Sequence, residues 1–407
     1  MKILPIIYLA YMFVSIYFLS LFLFLYLNNR KHLFEYSESK KRYSISVLVP
    51  AWNEEKTIKD TIEHIFEVDY PIKELIVLND GSGDKTKEIV EELIKKYPKL
   101  KLINKENTGK GDSLNKGVAI AKGELIVVVD ADSYPDKDSF KKLVGFFDDE
   151  KIGAATCVFV PRNANKFIEK MQVIEYNVIA FTRKLLGYVD AIYVTPGPLA
   201  MYRKSSLKKV RGFDTKNMTE DIEITWRLTH AGYERRMCLA TNATTTVPDN
   251  FKGWYRQRRR WNVGGLQCIV KYKKSFLKKG MLGMFILPFF VLQLFLGVLG
   301  LSIFFYLIIT RIISNYLLVT YSIPVGVPLV TIDSLFITPS FLNYLGIILF
   351  GVGLLFTILV LSIMKDTVLK KQNIFNILFY SIVYLTVYPF IMISALYNYF
   401  KRETKWR

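Results

Sequence analysis

Asp130-Ala131-Asp132 stands directly after an uncharged β-branched run, Leu125 to Val129. Two carboxylates with one residue between them, projecting from a strand end, can serve one divalent cation, one directly and the other through water, while a diphosphate supplies further oxygens. Asp132-Ser133-Tyr134-Pro135 is also good turn chemistry. Asp80, at the end of another apolar run, weights the pair toward the metal reading.

Asp80-Gly81-Ser82-x-Asp84 joins a strand to a helix, with Gly81 as a turn residue and Asp84 as an N-cap. Asp80 then has no local duty, and its carboxylate can accept hydrogen bonds from a nucleoside base or ribose. Lys110 opens a helix, where a cation opposes the macrodipole unless an anion such as phosphate lies near it. An exposed lysine of no special function fits that position equally well. Thr219-Glu220-Asp221 precedes an amphipathic run, Ile222 to Ala231, so Thr219 as N-cap and two acids in the first turn are a sufficient structural account. The catalytic alternative makes Asp221 a general base for an attacking hydroxyl, with Glu220 beside it. A helix N-terminus lowers a carboxyl pKa, so Glu220 or desolvation has to push Asp221 the other way.

Gln257-x-x-Arg260-Trp261 lies in a stretch after Lys252 that is rich in Lys and Arg and free of acids. On a helix Gln257 shares a face with Arg260 and Trp261. An amide, a guanidinium fork and an indole can together hold a hydroxylated ring while the cation meets a diphosphate. A basic amphipathic helix resting on acidic lipid headgroups explains the same residues.

These groups need elements to carry them. From Ser44 onward short β-branched runs alternate with helical segments: Ile45 to Val49, Glu55 to Phe66, Leu75 to Leu78, Asp84 to Tyr97, Leu100 to Ile103, Asp112 to Ala121 and Leu125 to Val129. Strand and helix in alternation predict an α/β fold with a mostly parallel sheet. Ligands of such sheets collect beyond the carboxyl ends of the strands. Asn53 and Glu54 follow the first strand, Asp80 the second, and Asp130 and Asp132 the fourth, which points to a nucleotide crevice. Beyond Gly153 the alternation loosens into Ala154 to Val160, a long helix from Asn165 to Leu186, and Ile192 to Tyr202 interrupted by Thr195-Pro196-Gly197-Pro198; this half is expected to bind the acceptor.

The chain has 407 residues, 51% of them hydrophobic, and a net charge of +19. Ile3 to Leu27 is uncharged and, at roughly 37 Å as a helix, long enough to cross a bilayer core. Three more candidate spans follow, near Gly283 to Thr310, Phe341 to Met364 and Ile374 to Asn398, and Ile323 to Pro339 reads as a possible re-entrant segment. The cations crowd beside apolar spans instead of forming a stripe on a soluble fold. Membrane lipid and an anionic nucleotide explain them better than nucleic acid does. Arg30, Lys31, Lys40, Lys41 and Arg42 after the first span place the polar block in the cytoplasm of a multi-pass cell-membrane protein. Cys157, Cys238 and Cys268 show neither disulfide nor zinc spacing. Any metal is therefore held by oxygen, which points to Mg²⁺ or Mn²⁺. The expected division is a transmembrane helix in 1–30, a catalytic domain in 44–250, amphipathic interface helices in 251–282 and about three membrane helices in 283–400.

Val49-Pro50-Ala51-Trp52-Asn53-Glu54, the Asp80 motif, Gly109-Lys110-Gly111 with Leu114-Asn115-Lys116-Gly117, Asp130-x-Asp132, Thr219-Glu220-Asp221 and Gln257-x-x-Arg260-Trp261, in this order, resemble the membrane-embedded inverting glycosyltransferases of GT-A fold that build cellulose, chitin, hyaluronan and poly-N-acetylglucosamine. The run Thr219 to Leu228 looks most like the poly-N-acetylglucosamine synthase branch. The resemblance implies a processive transferase that moves sugar from a UDP-sugar donor onto a polysaccharide or oligosaccharide acceptor. It implies Asp80 at the uridine, Asp130 and Asp132 at the metal and diphosphate, and Asp221 as the base. Gln257, Arg260 and Trp261 would hold the nucleotide and the acceptor end, and the membrane helices would form a polymer channel. One departure is Thr195-Pro196-Gly197-Pro198, where the family's acceptor loop is less proline-rich. The rival reading is transfer of one sugar to a polyprenyl-phosphate or ceramide acceptor. Donor sugar, linkage and any secretion partner are not set by these motifs.

Overall fold

A computed structural model describes residues 3–278, 280–322, 341–364 and 372–401. The expected alternation is present. β1 (Ile45–Ala51), α2 (Ile58–Phe66), β2 (Ile72–Asp80), α3 (Thr86–Lys96), β3 (Leu100–Lys105), α4 (Lys110–Ile120) and β4 (Leu125–Val128) follow α1 (Ile3–Asn29). β1, apart from the buried Ser46, and β4 read as continuous apolar runs because both faces are covered; Val47, Leu48, Ile126 and Val127 have no exposed surface. In α2, Ile58, Ile62 and Ile65 recur at helical spacing and are fully buried.

Eight strands form one sheet in the order β3-β2-β1-β4-β7-β6-β8-β5. β1, β2, β3 and β4 pair in parallel. The sheet is mostly parallel, as expected, and its second half is mixed: the sixth and eighth strands pair in parallel, while others do not. β7 (Ala200–Arg203) runs antiparallel between β4 and β6 (Ile152–Pro161), and β5 (Ser133–Pro135) runs antiparallel to β8 (Glu234–Thr245). The segment read as Ile192 to Tyr202 yields a strand only from Ala200, because Pro196 and Pro198 cannot donate ladder hydrogen bonds. α5 (Ser139–Val144), α6 (Phe167–Gly187), α7 (Lys204–Lys209) and α8 (Glu220–His230) connect the strands of this half.

α9 (Phe251–Tyr272) carries the basic motif and is capped by Asn250, whose Oδ1 accepts from the Gly253 N–H at 2.9 Å. Then come α10 (Leu287–Ser322), α11 (Phe341–Ile363), α12 (Ile374–Phe379) and α13 (Tyr388–Phe400). With α1, these give four helices among the described residues that are long and apolar enough to cross a membrane. The last is interrupted: a π turn at Tyr380–Tyr384 and a 3₁₀ turn at Leu385–Val387 separate α12 from α13, just before Pro389. Ile323 to Pro339 lies outside the described residues.

α6 ties the two parts together. One buried cluster joins its Phe181 and Leu185 to Leu25 of α1 and Val360 of α11. A second joins its Met171 and Ile174 to Trp254 of α9 and to Tyr380, Tyr384 and Ile391 of the last span.

Candidate functional site

The carboxyl ends of β1, β2 and β4 lie side by side, with Ala51 opposite Asn79 and Leu48 opposite Val128. The loops leaving them open into a cavity of about 700 Å³. Asn53, Glu54, Asp80, Lys110, Asp130 and Asp132 line it on the sheet side; Thr219, Glu220, Asp221, Gln257, Arg260 and Trp261 line it on the other. All twelve candidate catalytic, binding and metal-holding residues read from the sequence therefore line one space, of a volume ordinary for a small-molecule site.

Several of them are also tied into the loops. Asn53 adopts a left-handed backbone (φ 56°), which asparagine tolerates, and its Oδ1 accepts from the Gly83 N–H at 2.8 Å. Asp80 differs from its reading as a residue without local duty. Its carboxylate accepts from the backbone N–H of Thr108 at 3.0 Å and of Gly109 at 2.9 Å, and pairs with Lys105. Asp80 thus shapes the loop leading into Lys110. Asp84 caps from just outside α3, accepting from the Thr86 N–H at 3.0 Å. Thr219 occupies the N-cap position of α8 but does not cap it; its hydroxyl donates to Asn217 Oδ1 at 3.2 Å. Its neighbour across the gap is Gly264 of α9, where a Cβ would fall 1.9 Å from the Thr219 hydroxyl, so only glycine allows these elements to meet.

Lys110 supplies the central electrostatic link. Its Nζ lies 2.6 Å from Asp130 and 2.8 Å from Glu220. Burial works against the ammonium, but Asp130, Glu220 and Asp221 outweigh it and raise its pKa. The anion that offsets Lys110 at its helix start is thus a pair of carboxylates from other elements. Gly197 packs on this link. A Cβ there would fall 2.6 Å from Lys110 Nζ and 2.8 Å from both Asp130 carboxylate oxygens, so the proline-flanked loop closes over the ion pair.

The two acids that open α8 are differentiated by their surroundings. Burial alone would raise Glu220, but Lys110 more than offsets it and holds Glu220 below the usual range. Asp221 is pushed up to about 6, first by burial and then by the Glu220 charge, against Lys110 and Arg260. Desolvation and a like charge therefore override the helix terminus. Toward the sheet, Asp132 rises to about 6 by burial and the Asp130 charge, and Glu54 to about 7 by burial, with Asp132 and Asp130 adding to it. Ser133 N–H donates to Asp130 O at 3.0 Å, so the turn reading of this segment also holds.

The oxygen donors fit a hard divalent cation: crowded carboxylates whose ionisation is opposed by burial and by each other are relieved by a positive charge. Among the described residues no three His, Cys, Asp or Glu side chains converge in chelating geometry, so a metal here would need donor phosphate oxygens to complete its shell.

Sequence reading missed a second layer under the basic motif. Arg258, fully buried, forks onto the Glu175 carboxylate of α6, with Nε to Oε1 at 3.0 Å. Tyr384, 209 residues away in the interrupted span, donates to the same carboxylate at 2.7 Å, and Tyr388 also donates to it. The Arg258 guanidinium lies 4.1 Å from the centre of the Trp261 ring and donates to Gln257. Gln257 and Trp261 are thus positioned from behind by a charged residue that looks, in the sequence, like one more cation in a basic run. A glutamate on the apolar helix Asn165 to Leu186 was the available signal.

Residues 46–211 match Glycosyl transferase family 2. The chain is 31% identical over 378 residues to poly-beta-1,6-N-acetyl-D-glucosamine synthase of Staphylococcus epidermidis, covering 90% of this chain and 86% of that one. It is 32% identical over 399 residues to the probable glycosyltransferase YdaM of Bacillus subtilis, covering 94% and 90%. In structure it is similar to the mannosyltransferase PcManGT of Pyrobaculum calidifontis, solved with GDP-Man and Mn²⁺, at a TM-score of 0.63 and 18% identity over 97% of this chain and 99% of that one. With strand-end carboxylates, a sheet of this order and relatives aligned along nearly the whole chain, the protein belongs to glycosyl transferase family 2 and is a glycosyltransferase of GT-A fold.

Proposed function

We propose that this protein is a membrane-embedded, inverting transferase that adds sugar units from a UDP-sugar to a growing polysaccharide, processively, and passes the product along its own membrane helices. The supporting observation is the reach of the cavity. It begins at the strand-end carboxylates and ends against Phe290, Gln293 and Leu294 of α10 and Met392 of α13. A product that leaves Asp221 in that direction meets the membrane helices.

In this reading the catalytic domain lies in the cytoplasm, and Asn53, Glu54 and Asp80 shape the nucleoside end. Asp130 and Asp132 would hold Mg²⁺ or Mn²⁺, which when bound stabilises negative charge on the departing diphosphate. Arg260 adds a fixed cation near that charge. The acceptor hydroxyl gives its proton to the Asp221 carboxylate as its oxygen attacks the anomeric carbon. The bond from that carbon to the diphosphate breaks on the opposite face, so configuration inverts and no covalent enzyme intermediate forms. Glu220, held ionised by Lys110, keeps Asp221 basic enough to take the proton. Trp261, backed by Arg258, offers its ring to the acceptor sugar. The Staphylococcus epidermidis relative, a poly-beta-1,6-N-acetyl-D-glucosamine synthase, suggests an N-acetylglucosamine polymer.

Purified protein in detergent is given a labelled UDP-sugar and the product is sized. A ladder supports polymerisation; a single lipid-soluble product would replace it with transfer to a lipid carrier.

A further inference from the structure

α6 turns one face to the cavity through Tyr176, Ile179, Ala180 and Arg183, the spacing of a helical stripe. Three of these suit an apolar wall. Arg183 does not: it is 5% exposed, its Nε has no hydrogen-bond partner, and among the described residues its guanidinium makes no hydrogen bond or ion pair. Other buried cations among the described residues have partners: Arg258 has Glu175, Arg235 has Asp190, Lys110 has Asp130 and Glu220, and Lys184, without an acid, donates to the Met237 carbonyl at 3.1 Å. A guanidinium removed from water with nothing to donate to is costly unless a ligand supplies the missing oxygens.

Its surroundings say which ligand. Tyr193, Asp221, the buried thiol of Cys157 and Tyr176 are the ionisable groups near it, and the Tyr193 ring packs edge-on against Phe290 of α10 at 5.0 Å. Arg183 therefore belongs to the membrane-facing end of the cavity, beyond Asp221 from the nucleotide carboxylates. A second full negative charge there would be repelled by Asp221 and Glu220. An uncharged carbonyl suits the planar fork without that repulsion.

We propose that Arg183 forms an acceptor subsite, donating to an exocyclic amide carbonyl on the terminal sugar of the growing chain. This rests on the reading of the cavity as a donor and acceptor site. Arg183 then selects N-acetylated acceptors, and its missing partners are restored each time a chain end docks.

The test uses full-length protein in detergent with UDP-N-acetylglucosamine as donor. Two primers are compared, a β-linked N-acetylglucosamine oligosaccharide and its counterpart with a hydroxyl in place of each acetamide. Arg183→Met is expected to raise KM for the acetylated primer about tenfold or more, leave KM for the other primer and the affinity for UDP unchanged, and raise the unfolding temperature of the ligand-free protein. Arg183→Lys, which keeps the charge but not the fork, is expected to raise the same KM by less. An unmoved KM for the acetylated primer in both variants, or an equal loss on both primers, overturns the subsite while leaving the transferase reading in place. Wild-type protein that extends neither primer overturns both.

Discussion

The two ends of the cavity are built differently. At the nucleotide end, Asp80 closes one parallel strand and the Asp130–Asp132 pair directly follows another, so strand order alone brings them together. At the membrane-facing end, α6, α8 and α9 are assembled by contacts across long stretches of chain, and part of the scaffold is an interrupted membrane span. The first end is a property of sheet topology, and the second of packing. Damage should therefore separate: changes at the sheet end weaken donor binding and turnover together, whereas changes at the other end spare donor binding.

Removing divalent metal, or Asp132→Ala, has the largest expected effect. It deletes a contribution on the order of several kcal/mol to leaving-group stabilisation, so transfer falls to background and UDP-sugar affinity falls with it, as equilibrium binding and turnover assays would show. Unchanged activity in metal-free buffer would refute the metal role. Asp221→Asn comes next, with kcat lowered by about 10²–10⁴-fold and UDP affinity unchanged in the same binding assay; near-wild-type turnover would remove Asp221 as the base.

Glu175→Gln probes the packed layer. It leaves Arg258 buried without its counter-charge, a loss of about 3–5 kcal/mol, visible as a lower unfolding temperature and weaker transfer. Adding Arg258→Met to that variant should recover stability but not transfer, because Trp261 then lacks its guanidinium support. Recovery of both would make the ion pair structural only. The smallest effect concerns pH. With Asp221 at about 6, the base is charged above that value and protonated below it. kcat is thus expected to drop about tenfold per unit as pH falls well below 6, and the limb should vanish in Asp221→Asn.

How legible each end was follows from the same contrast. The parallel half, the cavity's position and the gathering of Asp80, Asp130 and Asp132 were readable because short continuous apolar runs and strand-end polar residues are local signals, whereas the place of Asp221 beside them came only from the family resemblance. The Gln257, Arg260 and Trp261 face was readable from helical spacing. That Thr219 leaves its helix without a side-chain cap was not, since Asn217 competes for its hydroxyl. Nor was the service of Asp80 to its own loop, or the antiparallel β7, whose start is set by two prolines.

Residue order by itself determined the fold class, the four apolar helices and the carboxylates that gather at the strand ends, since each depends on neighbours a few positions away. Only the tertiary structure decided which charges meet. It paired Lys110 with Asp130 and Glu220, joined Arg258 to a glutamate and two membrane tyrosines, and left Arg183 facing the cavity without a partner. The physical reason is that the energy of a buried charge is set by what replaces its water, and those groups arrive from distant parts of the chain.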